Sequence, residues 1–190
     1  AGIITVKQTN PLMPKHAIKD VPDMLTKIYA AGITLCQQQN HDLQKDYLGG
    51  EQSVNELLTC AKQLKRQPSF YGIMHSEPDF KLLQETVTQF KGFIEKEVLA
   101  VAALAGTLET TASNLIDARL ETLKDALWTL EAEIYENLLK VNDLFNGAPP
   151  QNSSAVSMMR NINGVFNSIN SLEVRGRDSA GISVLFNMDK

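Results

Sequence analysis

The residues best suited to chemistry lie in the run 172–181, which reads Leu-Glu-Val-Arg-Gly-Arg-Asp-Ser-Ala-Gly. Arg175 carries a planar fork of N–H donors that can bind a carboxylate through two hydrogen bonds. Gly176 permits backbone angles that other residues rarely adopt, and Asp178 and Ser179 can bond local amides in a turn. The run therefore predicts a loop that presents an arginine to an anionic group.

Other reactive side chains are better interpreted as structural. Three histidines share no helical face and are interpreted as surface or loop residues, not metal ligands: His16, His41 and His75. Three glutamates lack a Glu-x-x-His partner and indicate a solvated helix face instead of a di-metal site: Glu131, Glu133 and Glu136. A small basic patch is typical of charges at a helix C-terminus rather than of a phosphate site: Lys62, Lys65 and Arg66. Cys36 and Cys60 have no metal-binding spacing and are interpreted as reduced, buried thiols of a cytoplasmic protein.

Helical patterns occupy the middle of the chain. Apolar residues at helical spacing predict a helix from Pro22 through Leu35, and Gly49-Gly50 predicts a stop. Residues 53–56 (Ser-Val-Asn-Glu) match a capping box, which predicts a new helix running to Gln67. The order along the chain is thus a strand, about five helices, then a helix and a strand.

The strongest structural signal is a pair of apolar stripes with 3-4 spacing. The first runs from Phe80 to Leu104 and includes Phe90, with Glu97 as its polar member, and the second runs from Leu120 to Leu144 and includes Leu130, with Asn137 as its polar member. The short turn 106–110 between them predicts a long antiparallel helical hairpin. Because an unpaired buried charge is costly, each polar member is expected to reach water or a partner.

The two ends of the chain have a different pattern. Residues 2–6 and 182–187 are apolar and β-branched enough to predict short strands. After residues 147–150 (Gly-Ala-Pro-Pro) end the hairpin, a helix capped by a serine of the 151–154 linker carries Val156 to Leu172, and its mixed spacing suits packing against a sheet. The predicted fold is mainly α, with a helical domain at 11–150 and a strand–helix–strand unit formed by 1–10 and 151–190.

The two terminal segments together resemble class II (N-terminal nucleophile) glutamine amidotransferases. Those proteins begin Cys-Gly-Ile and later carry Arg-Gly-x-Asp-Ser-Ala-Gly, and here residues 1–4 read Ala-Gly-Ile-Ile. The Leu-Glu-x-Arg-Gly-x-Asp-Ser-Ala-Gly run is most similar to the glutamine–fructose-6-phosphate aminotransferases, although Arg177 stands where they have tyrosine. The resemblance implies a small α+β unit, interrupted here by an inserted helical domain, and a parent enzyme that takes ammonia from glutamine for glucosamine 6-phosphate synthesis.

The resemblance also implies roles for individual residues. Ala1 occupies the position of the nucleophilic cysteine, whose thiol attacks glutamine with its own α-amino group as base. Arg175, Gly176, Asp178 and Ser179 fall in the loop that borders this residue. A methyl group cannot attack a carbonyl, so we expect this chain to be inactive as a glutaminase. Since the family's glutamine-binding and oxyanion residues lie beyond Lys190, we interpret it as a fragment in which Ala1→Cys alone restores nothing.

Composition limits the classes of partner that the chain is expected to bind. A net charge of −4 argues against nucleic acid, and the apolar run 98–105 is too short to span a bilayer. The expected ligands are glutamine and a sugar phosphate in the parent enzyme, with no cofactor and a possible homodimer. The competing hypothesis is a helical interaction or dimerisation module without enzymatic activity, in which the hairpin binds a partner.

Overall fold

The computed structural model describes residues 17–38, 42–104 and 106–173, and this part of the chain is mainly helical. The strands predicted at 2–6 and 182–187 lie outside these residues. Within them, no helix is long and apolar enough to cross a membrane. The helices of the first part are α1 (Val21–Tyr29), α2 (Ile33–Gln38), α3 (Leu43–Asp46), α4 (Gly50–Leu64) and α5 (Gln67–Met74).

The first helix is shorter than its apolar spacing predicts. Instead of continuing to Leu35, α1 ends at Tyr29, and the chain turns before α2 begins at Ile33. Hydrogen bonds to residues distant in sequence hold this turn. The Leu48 N–H donates to the Ala31 carbonyl, and the Ile33 N–H donates to a carboxylate on a distant helix. A tertiary hydrogen bond therefore overrides the local helical pattern.

The predicted capping box at Ser53 is wrong. Helix α4 already begins at Gly50, the last of three consecutive residues with positive φ: Leu48, Gly49 and Gly50. Ser53 lies one turn inside the helix, where its hydroxyl donates to the Gly49 carbonyl at 2.7 Å instead of accepting from an amide. The two glycines make the sharp entry into α4 possible, since glycine adopts left-handed backbone angles without steric cost.

The antiparallel hairpin is present. Its first arm is α6 (Glu77–Ala103), and its second arm comprises α7 (Thr110–Trp128), a π-helix (Thr129–Tyr135) and α8 (Glu136–Leu144). Contacts between the arms run in opposite directions, with Lys91 bonded to Glu131 and Phe80 against Tyr135. Phe90 and Leu130 are both fully buried, as the stripes predict. The second stripe is buried as far as Val141, while Leu144 is exposed.

The last helix, α9 (Ser153–Glu173), runs in the same direction as α8. Its N-cap is Asn152, whose side-chain oxygen accepts from the N–H groups of Ser154 and Ala155, so the predicted serine cap is wrong. Residue numbers rise together along α9 and the second arm of the hairpin. Arg160 lies near Glu133 of the π-helix, Asn163 contacts Asn137, and Asn167 contacts Lys140. Among the described residues, α9 packs mainly on α8 and α5.

This parallel arrangement requires the segment 145–152 to carry the chain back along the bundle. The segment is held to α5 by polar contacts that join His75 Nε2 to the Pro150 carbonyl at 3.1 Å and the Tyr71 hydroxyl to the Gln151 carbonyl at 2.8 Å. Gln67 Nε2 also donates to the carbonyl of Ser153, the first residue of α9, at 3.3 Å. As α5 residue numbers fall, those of the segment rise. We call residues 145–152 the return segment.

Candidate functional site

The residues singled out by the sequence motif are not among those that the structure describes. Ala1, Arg175, Gly176, Asp178 and Ser179 all lie outside the described ranges. The nearest described element is α9, which ends at Glu173. The site that the described residues do form lies elsewhere on α9.

A polar cleft of about 280 Å³ opens between α8 and α9. Its lining consists of Asn137, Arg160, Asn161, Asn163, Gly164 and Asn167. We call this set the amide cleft. No carboxylate and no aromatic ring belongs to it. The cleft therefore offers amide and guanidinium groups, which suit binding, and lacks a side chain able to act as nucleophile or general base.

Asn137 organises the amide cleft because of the π-helix that precedes it. In the π-helix, hydrogen bonds span five residues, as from the Glu136 N–H to the Glu131 carbonyl. Returning to α spacing leaves a carbonyl in surplus, and Asn137 Nδ2 donates to the carbonyls of Ala132 and Glu133 at 3.2 and 3.0 Å. Its Oδ1 must then face away from this helix.

That oxygen accepts two hydrogen bonds from α9. Asn163 Nδ2 donates to it at 2.7 Å and Asn167 Nδ2 at 2.9 Å. All four hydrogen-bonding positions of the Asn137 amide are thereby used. At the rim, Lys140 Nζ donates to Asn167 Oδ1 at 3.2 Å. The polar member of the second stripe thus has its predicted partners, and they are other amides.

Arg160 is held at one side of the amide cleft. Its guanidinium stacks over the Phe70 ring, 4.3 Å from the centroid, and Nη2 donates to the Lys65 carbonyl at the end of α4. Burial lowers the pKa of Arg160, and the nearby Glu133 carboxylate opposes this shift. Glu133 itself is bound by Lys65 Nζ through both oxygens, at 2.8 and 2.9 Å. Lys65 therefore neutralises Glu133 directly.

A second polar cluster is buried around Glu97, the polar member of the first stripe. Only 5% of Glu97 is exposed, and its Oε1 accepts from the Ile33 N–H at 2.6 Å. The Tyr47 hydroxyl lies close enough to influence this carboxylate electrostatically but lacks hydrogen-bond geometry. Burial raises the pKa of Glu97, while the Ile33 and Tyr47 groups oppose the increase. The predicted partner of Glu97 is thus the first N–H of α2.

Glycine is needed at position 32 because of this carboxylate. A Cβ atom there would lie 3.0 Å from Glu97 Oε2, and the carboxylate is fixed by its bond to Ile33. We expect Gly32→Ala to lower the free energy of unfolding by about 1–2 kcal/mol. Gly92→Ala, where an added Cβ meets nothing within 4 Å on α6, should raise it by about 0.5–1 kcal/mol. Chemical denaturation measures both.

The source of the Gly32→Ala effect can be tested separately. In a Glu97→Ala background the crowding is gone, so we expect Gly32→Ala to cost less than about 0.5 kcal/mol there. An equal loss in both backgrounds would mean that backbone preference, not contact with the carboxylate, requires glycine at this position.

The remaining reactive residues occupy separate structural positions. His75 contacts two backbone carbonyls, those of Tyr71 and Pro150, whereas His16 and His41 lie outside the described residues. The three glutamates bind three different lysines: Glu131 with Lys91, Glu133 with Lys65, and Glu136 with Lys140. Within the described part of the chain, no group of three His, Cys, Asp or Glu side chains is placed to hold a metal ion.

Both cysteines are buried and free, as predicted. Burial, with a smaller contribution from Asp20, raises the pKa of Cys60 to about 11. Burial and the acidic neighbours Asp46 and Glu97 raise that of Cys36. Both thiols are therefore poor nucleophiles at neutral pH.

Sequence reasoning did not identify the amide cleft, although α9 contains a signal for it. The stretch 160–164 reads Arg-Asn-Ile-Asn-Gly, and both asparagine and glycine disfavour a helix interior. Such residues in an otherwise apolar helix indicate that something other than propensity selects them. Comparison with known protein families, curated proteins and solved structures finds no match to this chain, so the amide cleft is characterised by its geometry alone.

Proposed function

We propose that this chain is part of a class II glutamine amidotransferase, most similar to the glutamine–fructose-6-phosphate aminotransferases. In this proposal residues 11–150 are a helical domain inserted between two pieces of the amidotransferase unit, 1–10 and 151–190. The motif at 172–181 and the Gly-Ile-Ile sequence at 2–4 support it. The parent enzyme would hydrolyse glutamine and supply ammonia for an amino sugar phosphate.

One structural observation supports the proposal most directly. In the second half of α9, Phe166 is 40% exposed and Ile162, Val165 and Ile169 are partly exposed, so the described elements leave this apolar face partly uncovered. The opposite side of this half of α9 is polar and contacts α8 through Asn163 and Asn167. An amphipathic helix is expected to bury its apolar face against another element. The proposed cover is a small sheet made from residues 2–6 and 182–187, with α9 leading directly into the Arg175 loop.

The proposed catalytic arrangement places Ala1 where a cysteine would attack the glutamine carboxamide. Arg175, Gly176, Asp178 and Ser179 would form the loop beside it, with Arg175 available to bind a carboxylate. With alanine at the first position, the chain lacks the nucleophile and would release no ammonia from glutamine.

Disulfide trapping tests whether the two terminal segments meet. Ile4→Cys is combined in turn with Ile182→Cys, Val184→Cys and Phe186→Cys, and each double variant is oxidised. Adjacent strands lie about 4.8 Å apart, within the Cα separation that a disulfide allows. We expect at least one pair to cross-link. The matched control joins Ile4→Cys to Thr107→Cys at the hairpin turn, which should not. Folded variants without any terminal cross-link would contradict the proposed fold.

Activity is tested in the complete product of the gene. There we expect Ala1→Cys to release ammonia from glutamine and the protein with Ala1 to release none. Adding Arg175→Ala to the Ala1→Cys variant should weaken glutamine use. If the termini cross-link but the Ala1→Cys protein releases no ammonia, the proposed fold is supported and the proposed activity is contradicted. This separates the two parts of the proposal.

A specific observation favours the alternative of an interaction or dimerisation module. Leu99 on α6 is 71% exposed and Trp128 on α7 is 59% exposed. Contiguous exposed apolar patches mark sites that bind another protein, and this alternative requires Leu99 and Trp128 to belong to such a surface. Light scattering measures the oligomeric state. A dimer that Leu99→Lys or Trp128→Lys converts to a monomer would support this function for the hairpin.

A further inference from the structure

We propose that the amide cleft between α8 and α9 binds a small molecule through a carboxylate or phosphate group. The proposal is independent of the amidotransferase function, because it uses only residues that the structure describes. It rests on three properties of the cleft: unused hydrogen-bond donors, an arginine with its charge still available, and a small open volume.

Arg160 supplies the main donors. Its guanidinium has five N–H groups, and among the described residues only Nη2 has a hydrogen-bond acceptor, the Lys65 carbonyl. Stacking on Phe70 and the bond to Lys65 hold the group in one orientation. A fixed guanidinium with free N–H groups matches an oxyanion, which can accept two parallel hydrogen bonds.

Nearby charges leave this arginine available. The closest carboxylate, Glu133, is bound at both oxygens by Lys65. No carboxylate lines the amide cleft. At its rim Lys140 is bonded to Asn167 and paired with Glu136, so among the described residues Arg160 is the charge without its own carboxylate. The local field is therefore positive, which favours an anion and disfavours a cation.

The amides determine the size and polarity of the ligand. Asn137 is saturated, but Asn163 donates only one hydrogen bond within the described residues and Asn161 donates none. Their free amide groups can contact hydroxyl or carbonyl oxygens next to the oxyanion. A volume of about 280 Å³ without an aromatic wall suits a small, polar metabolite rather than a nucleobase, which needs a stacking surface.

Gly164 provides a way to test the site without disturbing the bundle. An added Cβ there meets nothing within 4 Å, so a side chain extends into open space at the cleft. Gly164→Asp introduces a negative charge beside the proposed anion, and Gly164→Asn introduces the same bulk without charge. Gly92→Asp on α6, also with nothing within 4 Å, is the matched control away from the cleft.

The experiment is an NMR titration of the whole chain with inorganic phosphate, with succinate, and with glucose as a neutral probe. We expect phosphate or succinate to shift the Arg160 Nε–H and the Asn161 and Asn163 side-chain signals, with a Kd of about 1 mM or below. Glucose should shift them far less. If only phosphate or only succinate shifts these signals, that result identifies the oxyanion that the cleft prefers. Either result supports the proposal.

The variants locate the binding. We expect Gly164→Asp to raise the Kd of the anion about tenfold relative to Gly164→Asn. The Gly92→Asp variant should bind the anion with the affinity of the wild type. Equal affinity in the two Gly164 variants would overturn the proposal, because the charge would then not lie beside the anion. It would also be overturned if neither anion shifted the Arg160 and asparagine signals.

Discussion

Leu130→Ala should lower the free energy of unfolding by about 2–5 kcal/mol. Leu130 is fully buried in the π-helix and belongs to the main core between the hairpin arms. Removing most of its side chain loses apolar burial and leaves a cavity that helical neighbours on both sides cannot easily fill. Denaturation with urea, analysed at constant slope, gives the value.

The matched control for this prediction is Leu99→Ala. The substitution is the same and the residue is also helical, but 71% of Leu99 is exposed. Its effect should therefore remain within about 0.5 kcal/mol. If Leu130→Ala had an effect as small as that of Leu99→Ala, the burial of Leu130 between the hairpin arms would be contradicted. The second apolar stripe would then be better interpreted as a surface that binds another chain.

Glu97→Ala is expected to destabilise the protein by about 2–4 kcal/mol. The Ile33 N–H would be left in a buried environment without its acceptor, and the space next to Gly32 would be empty. Because this bond fixes the start of α2 against α6, amide exchange in α2 should also accelerate more than in α4. Denaturation and hydrogen-exchange NMR measure the two effects.

Glu97→Gln separates the hydrogen bond from the charge, since the amide oxygen can still accept from Ile33. Burial raises the pKa of Glu97 above its ordinary value of 4.5, so the folded state holds this proton more tightly than the unfolded chain does. The stability that protonated Glu97 contributes is fully present below pH 4.5. It is lost as the pH rises through the pKa of Glu97 in the folded protein, which lies above 4.5. The stability of wild type relative to Glu97→Gln should therefore fall across that window. A constant difference would contradict the assignment.

The two long stripes could be predicted from sequence because apolar spacing reports burial directly. Phe90 and Leu130 lie in the core for the same reason that they recur at 3-4 spacing. The π-helix could not be predicted in this way. The stripe through Leu127, Leu130 and Ile134 fits an ordinary α-helix equally well, and the change of hydrogen-bonding pattern leaves no mark in the spacing.

The breaks in the helices depend on partners distant in sequence. The start of α2 depends on Glu97, which lies 64 residues from Ile33, and the turn before it on the Leu48 N–H. Local patterns therefore predicted one helix where the structure has two. The amide cleft has the same origin, because Asn137 and Asn163 are informative only once α9 is known to lie parallel to α8.

The return segment has a consequence for how the bundle can open. Because α9 lies parallel to α8, its first turns are fixed beside α5, with Val156 in the core, while its later turns are held to α8 by amide and lysine contacts at Asn163 and Asn167. Although Asn163 is itself buried, a few hydrogen bonds between amides yield more readily than a packed apolar core. A force or fluctuation acting at Glu173 would therefore peel α9 progressively towards Arg160, separating the walls of the amide cleft while the hairpin core stays closed.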